Sequence, residues 1–470
     1  MSALPGIIGL IIFTYLRPQE WWEPLKSINF LYIFLFVSLV GLWSDVSKRR
    51  TVLMSTPHLP YVLMFVVWCA LTLLIRKPSV LSAKITLIIV DAVLYIIIAT
   101  GIQQVKTFFR LVMVVFASGL FVAYIGADQG TRDFQCIVYD PADRNGVGFS
   151  DGRECLMVDD EGLPKDGTVE CMESGEPGMA YECERAGLLG TTSCGGGRVR
   201  YLGVLLDPNE LALATALAVP FAFVIVELRR TFWRLALLLG TLVVVAFEIV
   251  RTQSRGGQIT LGGVLGAYFV KKYGWKRGFL VGIALGAPLA LLGGRDDDSA
   301  KESTLERLGC AAAGIKMVMA YPLTGVGFTE YTEHHNLTAH NAYVLAAGEL
   351  GLPGMFLFGT LIFLAIKVPV TVLRYDMVDG EETVMIKALA MGLLSALVGG
   401  ALGIFFLSWC YHYVLWIHFG LVGALYTCVK RLYPTFECRV SSKEARNILV
   451  GYVGFLILWM YYIKSKGAWD

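Results

Sequence analysis

Hydrophobic positions in this chain come in continuous blocks rather than in alternation. Apolar runs lie near 4–16, 28–43, 59–75, 80–100, 111–126, 207–226, 235–250, 257–270, 278–293, 342–366, 384–403, 408–429 and 447–463. A helix needs roughly 17–25 apolar residues to cross a bilayer, and the shorter runs extend into their polar flanks. Strands of a membrane barrel would alternate apolar with polar side chains. The pattern therefore predicts an all-α polytopic membrane protein of about 12–13 transmembrane helices. Two polar interruptions, 127–206 and 294–341, are far longer than the others. They divide the chain into N-terminal helices (1–126), an insert (127–206), a central helical group (207–293), a second loop (294–341) and C-terminal helices (342–470).

Composition agrees: 56% of the 470 residues are hydrophobic and 17% charged, which excludes an ordinary soluble globule. The run 4–16 lacks the basic start and small-residue cleavage site of a signal peptide and reads as a short first span. Lys and Arg gather in "SKRR" (47–50), "ELRRTFWR" (227–234), "KKYGWKR" (271–277) and "KRLYPTFECRVSSKEAR" (430–446). With alternating spans all four fall on one side, which the positive-inside rule makes cytoplasmic. A cytoplasmic N-terminus then leaves both long loops extracytoplasmic, and "KSKGAWD" at the C-terminus goes with them against the rule. Residues 127–200 hold seven Lys/Arg against fifteen Asp/Glu, an acidic loop suited to the outer side.

Five of the ten cysteines (Cys136, Cys155, Cys171, Cys183, Cys194) lie in the insert and Cys310 in the second loop. On an oxidising side these six could form three disulfides, with pairing open. Residues 127–200 hold no histidine and no C-x-x-C, which argues against a metal knot. "DPADRNGVGFSDG" (140–152) fails the EF-hand pattern, because Gly146 at position six puts Pro141 at position one. It reads as a solvated acidic loop.

Four polar clusters approach the same face as these loops. In "LLDPNELALATALAVP" (205–220), Asp207, Pro208 and Glu210 fit a helix start, and Asn209 or Asp207 could also touch a ligand. In "EIVRTQSRGGQITL" (248–261), Arg251, Ser254, Arg255 and Gln258 are spaced to form one polar helix face, either snorkelling arginines or an anion site. In the third cluster, Ser303 and Glu306 form a capping box for an amphipathic helix from about 304 to 320. Its face is Leu305, Leu308, Ala312, Ile315 and Met319, with Arg307 on a flank, where taken alone it reads as a solvated surface charge. In "TAHNAYVLAAGELGLPG" (338–354), Thr338 can cap a helix whose first turn holds His340 and Asn341. The positive helix end would keep the imidazole neutral and able to accept a proton. Gly348, Gly351 and Gly354 suggest close helix packing, and Glu349 inside the span needs a partner.

"QSRGGQITLGG", "ERLGCAAAGIKMVMAYPLTGVGF" and "TAHNAYVLAAGELGLPGMFLF", in that order, resemble the O-antigen ligase and O-antigen polymerase superfamily. "DPNELA" is similar to its ligase-type members, and "YLRPQEWW" (15–22) to the exosortase-associated O-glycosylation ligase branch. The motif-bearing part is 201–365, and the Cys-rich insert lies outside the usual pattern. The resemblance implies a bacterial inner-membrane glycosyltransferase with a periplasmic active site. It would move a glycan from an undecaprenyl-diphosphate carrier to a glycan, lipid A-core or protein hydroxyl. It further implies that Arg255 and Arg307 bind the diphosphate and that His340 activates the acceptor. Arg251, Asn341 and Asn209 are the remaining substrate-binding candidates. Partners are the lipid-linked donor, the acceptor and the bilayer, with no nucleic acid, and neither metal nor cofactor is expected. The chemistry agrees on its own terms, because arginine forks suit phosphate oxygens and a neutral histidine suits general base catalysis. Together they predict a metal-independent, inverting displacement. A polymerase and a protein O-oligosaccharyltransferase share this donor. A lipid-linked glycan transporter would instead be built from inverted repeats, and no such repeat is visible.

Overall fold

The computed structural model describes residues 2–139, 148–155, 171, 179–278, 280–281 and 297–469. Most of the 140–152 acidic segment and of the 278–293 span lies outside them. The described residues form an all-α bundle with one small sheet. Its helices are α1 (Leu4–Tyr15), α2 (Phe30–Ser47), α3 (Leu59–Arg76), α4 (Leu81–Gly101), α5 (Val105–Thr131), α6 (Pro208–Leu228), α7 (Phe232–Thr252), α8 (Arg255–Tyr273), α9 (Asp297–Ala320), α10 (Ala342–Arg374), α11 (Glu381–Gly403), α12 (Tyr413–Leu432) and α13 (Ser442–Ser465).

Ten of these are long and apolar enough to span a membrane, and the protein is a multi-pass membrane protein. Two of the thirteen expected spans fall short among the described residues. Helix α1 has 12 residues, only about 18 Å of helix. Helix α8, beginning "RGGQITLGG", is too polar to count.

Helix α12 lies at the centre, with 89% of its spanning window buried, whereas α2 and α13 are 22% and 17% buried. The outer helices expose Phe36, Trp43 and Leu458. Apolar faces of this extent are normal only against lipid or a partner. Small residues let the central helices approach closely. A Cβ added at Gly119 of α5 would come within 2.5 Å of the Ala218 Cβ of α6.

Hydrogen bonds from Ser254 to Asn209, from Trp409 to Glu210 and from Thr338 to Ser408 gather the starts of α6, α8 and α10 at one end of the bundle. The basic linkers gather at the other end, where the Arg431 guanidinium reaches the Arg50 carbonyl at 3.4 Å. The C-terminal residues share the first end, since Lys316 of α9 stands over the Trp469 ring.

Helix α10 is broken in the middle. Gly351 has φ +67° and ψ −171°, and Pro353 has no N–H to continue the ladder. The carbonyls freed by this break are all bonded. Val326 N–H donates to Gly348 O and Gly327 N–H to Glu349 O, both at 2.9 Å. Trp68 Nε1 donates to Leu350 O at 2.8 Å. Irregular backbone at membrane depth is tolerated only where protein covers it, and here the turn "YPLTGVGF" does so. Gly348 packs on Gly314, as close packing requires, but Gly351 provides the break. Glu349 finds its partner in the Tyr331 N–H, at 3.1 Å.

The insert folds on a three-stranded antiparallel sheet, ordered β2 (Phe149–Glu154), β1 (Phe134–Tyr139), β3 (Ala180–Arg185). Disulfides join Cys136 to Cys171 and Cys155 to Cys183. The third expected bridge is absent: Cys194 and the buried Cys310 are both thiols.

Candidate active site

The starts of α6 and α8, the early turns of α9 and the loop before α6 build a polar cleft at the end of the bundle away from the basic linkers. Helix α6 begins as its sequence predicts. Asp207 is the N-cap, its side chain accepting the Asn209 N–H at 2.6 Å, and Pro208 opens the first turn. Glu210 accepts a hydrogen bond from Trp409 Nε1 at 3.1 Å.

The segment 251–258 is not the single helix face expected from its spacing. Gln253 adopts φ +52° and ends α7, and Ser254 caps α8 by accepting the Gly257 N–H at 3.0 Å. Arg251 and Arg255 therefore stand on different helices. The same Ser254 hydroxyl donates to Asn209 Oδ1 at 2.8 Å, while Asn209 Nδ2 donates to Asp207 Oδ1 at 2.7 Å. Asn209 thus ties the start of α6 to the start of α8 and so helps place Arg255.

Helix α9 begins at Asp297, so Ser303 lies inside it and no capping box forms there. Its buried face is Leu308, Ala311, Ala312, Ile315 and Val318, while the predicted Leu305 and Met319 are 53% and 60% exposed. The shift presses α9 against α10 and α13 and leaves Ser303, Thr304 and Arg307 on the cleft. The cleft is lined by Arg198, Asn209, Gln253, Arg255, Ser303, Thr304 and Arg307. Three of these seven are arginines and none is acidic.

Asn341, not Thr338, caps α10. Its Oδ1 accepts the Tyr343 and Val344 N–H groups at 3.0 and 3.1 Å. Thr338 instead donates to Ser408 Oγ at 2.9 Å. His340 precedes the cap with φ +47°, a left-handed backbone uncommon outside glycine, though enriched in histidine. Such conformations persist where surrounding structure enforces them. Burial lowers the imidazole pKa, the Arg307 charge lowers it further, and Asp207 and Glu306 oppose both. The expected neutral ring is thus produced mainly by burial. These three charged groups place His340 in the electrostatic reach of the cleft.

Two of the other histidines are differently committed. His412 stacks on Trp409 at 3.8 Å. Its Nε2 is bonded to Val204 O at 2.9 Å and its Nδ1 accepts the Val414 N–H. Burial pushes its pKa down to about 4. His335 Nδ1 folds back on Leu337. Among the described residues no cluster with metal-binding geometry contains a histidine.

Arg255, Arg307 and Asn209 therefore line one cleft, whereas His340 is not among its lining residues and is tied to it only through the charge of Arg307. Arg251 does not line the cleft. Its guanidinium stands over the Phe247 ring at 5.3 Å, and its carbonyl accepts the Val199 N–H. Asn341 is 3% exposed as the α10 cap, although its Nδ2 has no hydrogen-bond partner. The sequence reading missed Arg198 and Gln253. "GGGRVR" (195–200) was a weak signal, an Arg pair just upstream of "DPN".

No curated protein matches the chain. The O-antigen ligase family model matches residues 240–359, a stretch that contains Arg255, Arg307, His340 and Asn341 but not Asn209 or Arg198. Over this matched stretch, well under half of the 470 residues, the protein is similar to the O-antigen ligase family.

Proposed function

We propose that the protein is a membrane glycosyltransferase of the O-antigen ligase type. It would transfer a glycan from an undecaprenyl-diphosphate-linked donor to an acceptor hydroxyl. The observation that carries this reading is one cleft lined by Arg255 and Arg307 with a neutral histidine in the Arg307 field. The amino end of α8 adds its partial positive charge on the same side. The basic linkers at the opposite end favour a periplasmic cleft by the positive-inside rule, and so an inner-membrane location.

In the reaction, the two guanidiniums hold the diphosphate oxygens by charge-assisted bonds. His340 takes the acceptor hydroxyl proton and becomes imidazolium. The acceptor oxygen forms its bond to the anomeric carbon as the carbon–oxygen bond to the diphosphate breaks. The electron pair leaves on the diphosphate, where the arginines stabilise the added charge. Attack opposite the leaving group inverts the anomeric centre, and no metal is required. Asn209 positions Arg255 through Ser254, and Asn341 fixes the start of α10 behind His340.

The test is glycan transfer by protein reconstituted in vesicles with a labelled carrier-linked donor. Activity that is lost in Arg255→Gln and Arg307→Gln variants of normal membrane insertion supports the reading. Wild-type protein that moves the lipid across the bilayer without transferring its glycan refutes it in favour of a transporter. A polymerase shares the donor and differs in acceptor. In a deletion strain, long glycan left on the carrier marks a ligase, and single-repeat products mark a polymerase.

A further inference from the structure

The insert lies outside both the motif pattern and the matched 240–359 stretch, yet it reaches the cleft through Arg198. We propose that the insert completes the site, its last turn supplying Arg198 as a third guanidinium for the donor's diphosphate. This rests on the reading given under Proposed function.

A chain of contacts fixes the position of Arg198. Cys194 and Arg198 exchange both backbone hydrogen bonds, at 3.0 and 2.9 Å. They close a turn over Gly195, Gly196 and Gly197, whose φ values are +49°, +80° and +83°. Three consecutive left-handed residues call for glycine. The Gly196 and Gly197 N–H groups donate to the Glu184 carboxylate at 3.0 and 2.9 Å, and Ser193 Oγ donates to it as well. Glu184 is 3% exposed and sits on β3. That strand pairs with β1, Cys136 opposite Cys183, and the disulfides tie β1 to Cys171 and β3 to Cys155 at the end of β2.

On the other side of the turn, Arg198 Nε donates to Thr252 O at 3.0 Å and Val199 N–H donates to Arg251 O at 3.2 Å. The turn is thereby bolted to the end of α7, three residues from Arg255. The bond at Nε sets the plane of a guanidinium that lines the same cleft as Arg255 and Arg307. A glycosyl lipid diphosphate carries one negative charge on each phosphate and gains another when the sugar leaves. Three guanidiniums match the departing group better than the bound donor. Interactions stronger in the transition state raise turnover rather than ground-state affinity.

The experiment uses the full-length protein in nanodiscs. Arg198→Gln is compared with Arg198→Lys, Arg255→Gln and Arg307→Gln. Two quantities are read: transfer kinetics, and affinity for undecaprenyl diphosphate against undecaprenyl monophosphate. Loss of one charge-assisted hydrogen bond predicts a fall of about ten- to hundred-fold in kcat for Arg198→Gln, with a smaller change in KM. Diphosphate affinity falls by more than monophosphate affinity, and Arg198→Lys lies between wild type and Arg198→Gln. Equal loss toward both lipids marks a merely structural role and overturns the inference. So does wild-type behaviour of both Arg198 variants while the Arg255 and Arg307 variants fail. If all three positions are indifferent, the underlying reading falls instead.

Discussion

Replacing His340 by glycine separates chemistry from structure at the proposed base. The residue sits at φ +47°, where an L side chain carries about 1–2 kcal/mol of backbone strain. Glycine relieves that strain, so His340→Gly keeps the approach to α10. The Asn341 cap, with its bonds at 3.0 and 3.1 Å, is untouched. The imidazole alone is lost. A general base contributes about 10²–10⁴-fold, equivalent to roughly 3–5 kcal/mol of activation free energy. Single-turnover transfer from a saturating labelled donor should slow by that factor, while the thermal midpoint stays level or rises. The space vacated by the ring admits free imidazole, and added imidazole should restore part of the rate in proportion to its neutral fraction. A His340→Gly enzyme that works within threefold of wild type, or a loss explained wholly by weaker donor binding, would refute the assignment.

Removing the Arg307 charge should move the acid limb of kcat/KM. Burial and Arg307 both hold the His340 pKa low, and the base works only when neutral, so activity fails as pH falls through that pKa. Arg307→Gln raises the pKa, and the residual activity should begin to fail at higher pH; a limb that stays or moves down contradicts this. Asn341→Ala forfeits the α10 cap and should cost about 0.5–2 kcal/mol of stability, seen as a lower thermal midpoint, whereas Asn341→Asp retains the cap. Gly351→Ala places a Cβ about 2.4 Å from the Leu323 carbonyl oxygen at φ +67°. Its backbone lies in a region open essentially to glycine, so a loss of at least about 2 kcal/mol is expected, measured as reduced folded protein after mild heating in detergent.

Much of the architecture was legible because a bilayer-spanning helix must satisfy its own backbone and present apolar side chains. The runs at 59–75, 80–100 and 207–226 became α3, α4 and α6 with little change. The caps were less legible. Ser303 with Glu306 has the capping-box spacing, but α9 starts six residues earlier, at Asp297. Thr338 and Asn341 are both competent caps, and the left-handed turn at His340 selects Asn341. Spacing alone joined Arg251 to Arg255, since the left-handed Gln253 that separates them carries no glycine to announce it. Arg255 and His340 stood out because ionisable groups beside apolar spans need a reason, whereas Arg307 was marked only by the resemblance carried by "ERLGCAAAG". Arg198 did not, because its place depends on the Gly195–Gly197 turn and on long-range pairing in the insert. The disulfide partners were hidden for the same reason, with six cysteines allowing fifteen connectivities.

The most direct test of the central claim is an experimental structure of the protein in nanodiscs with undecaprenyl diphosphate bound. Phosphate oxygens should then lie about 2.7–2.9 Å from guanidinium nitrogens of both Arg255 and Arg307, with the terminal phosphate facing the His340 ring. A diphosphate seated elsewhere, such as beside Arg230 and Lys272 at the opposite end of the bundle, would contradict it.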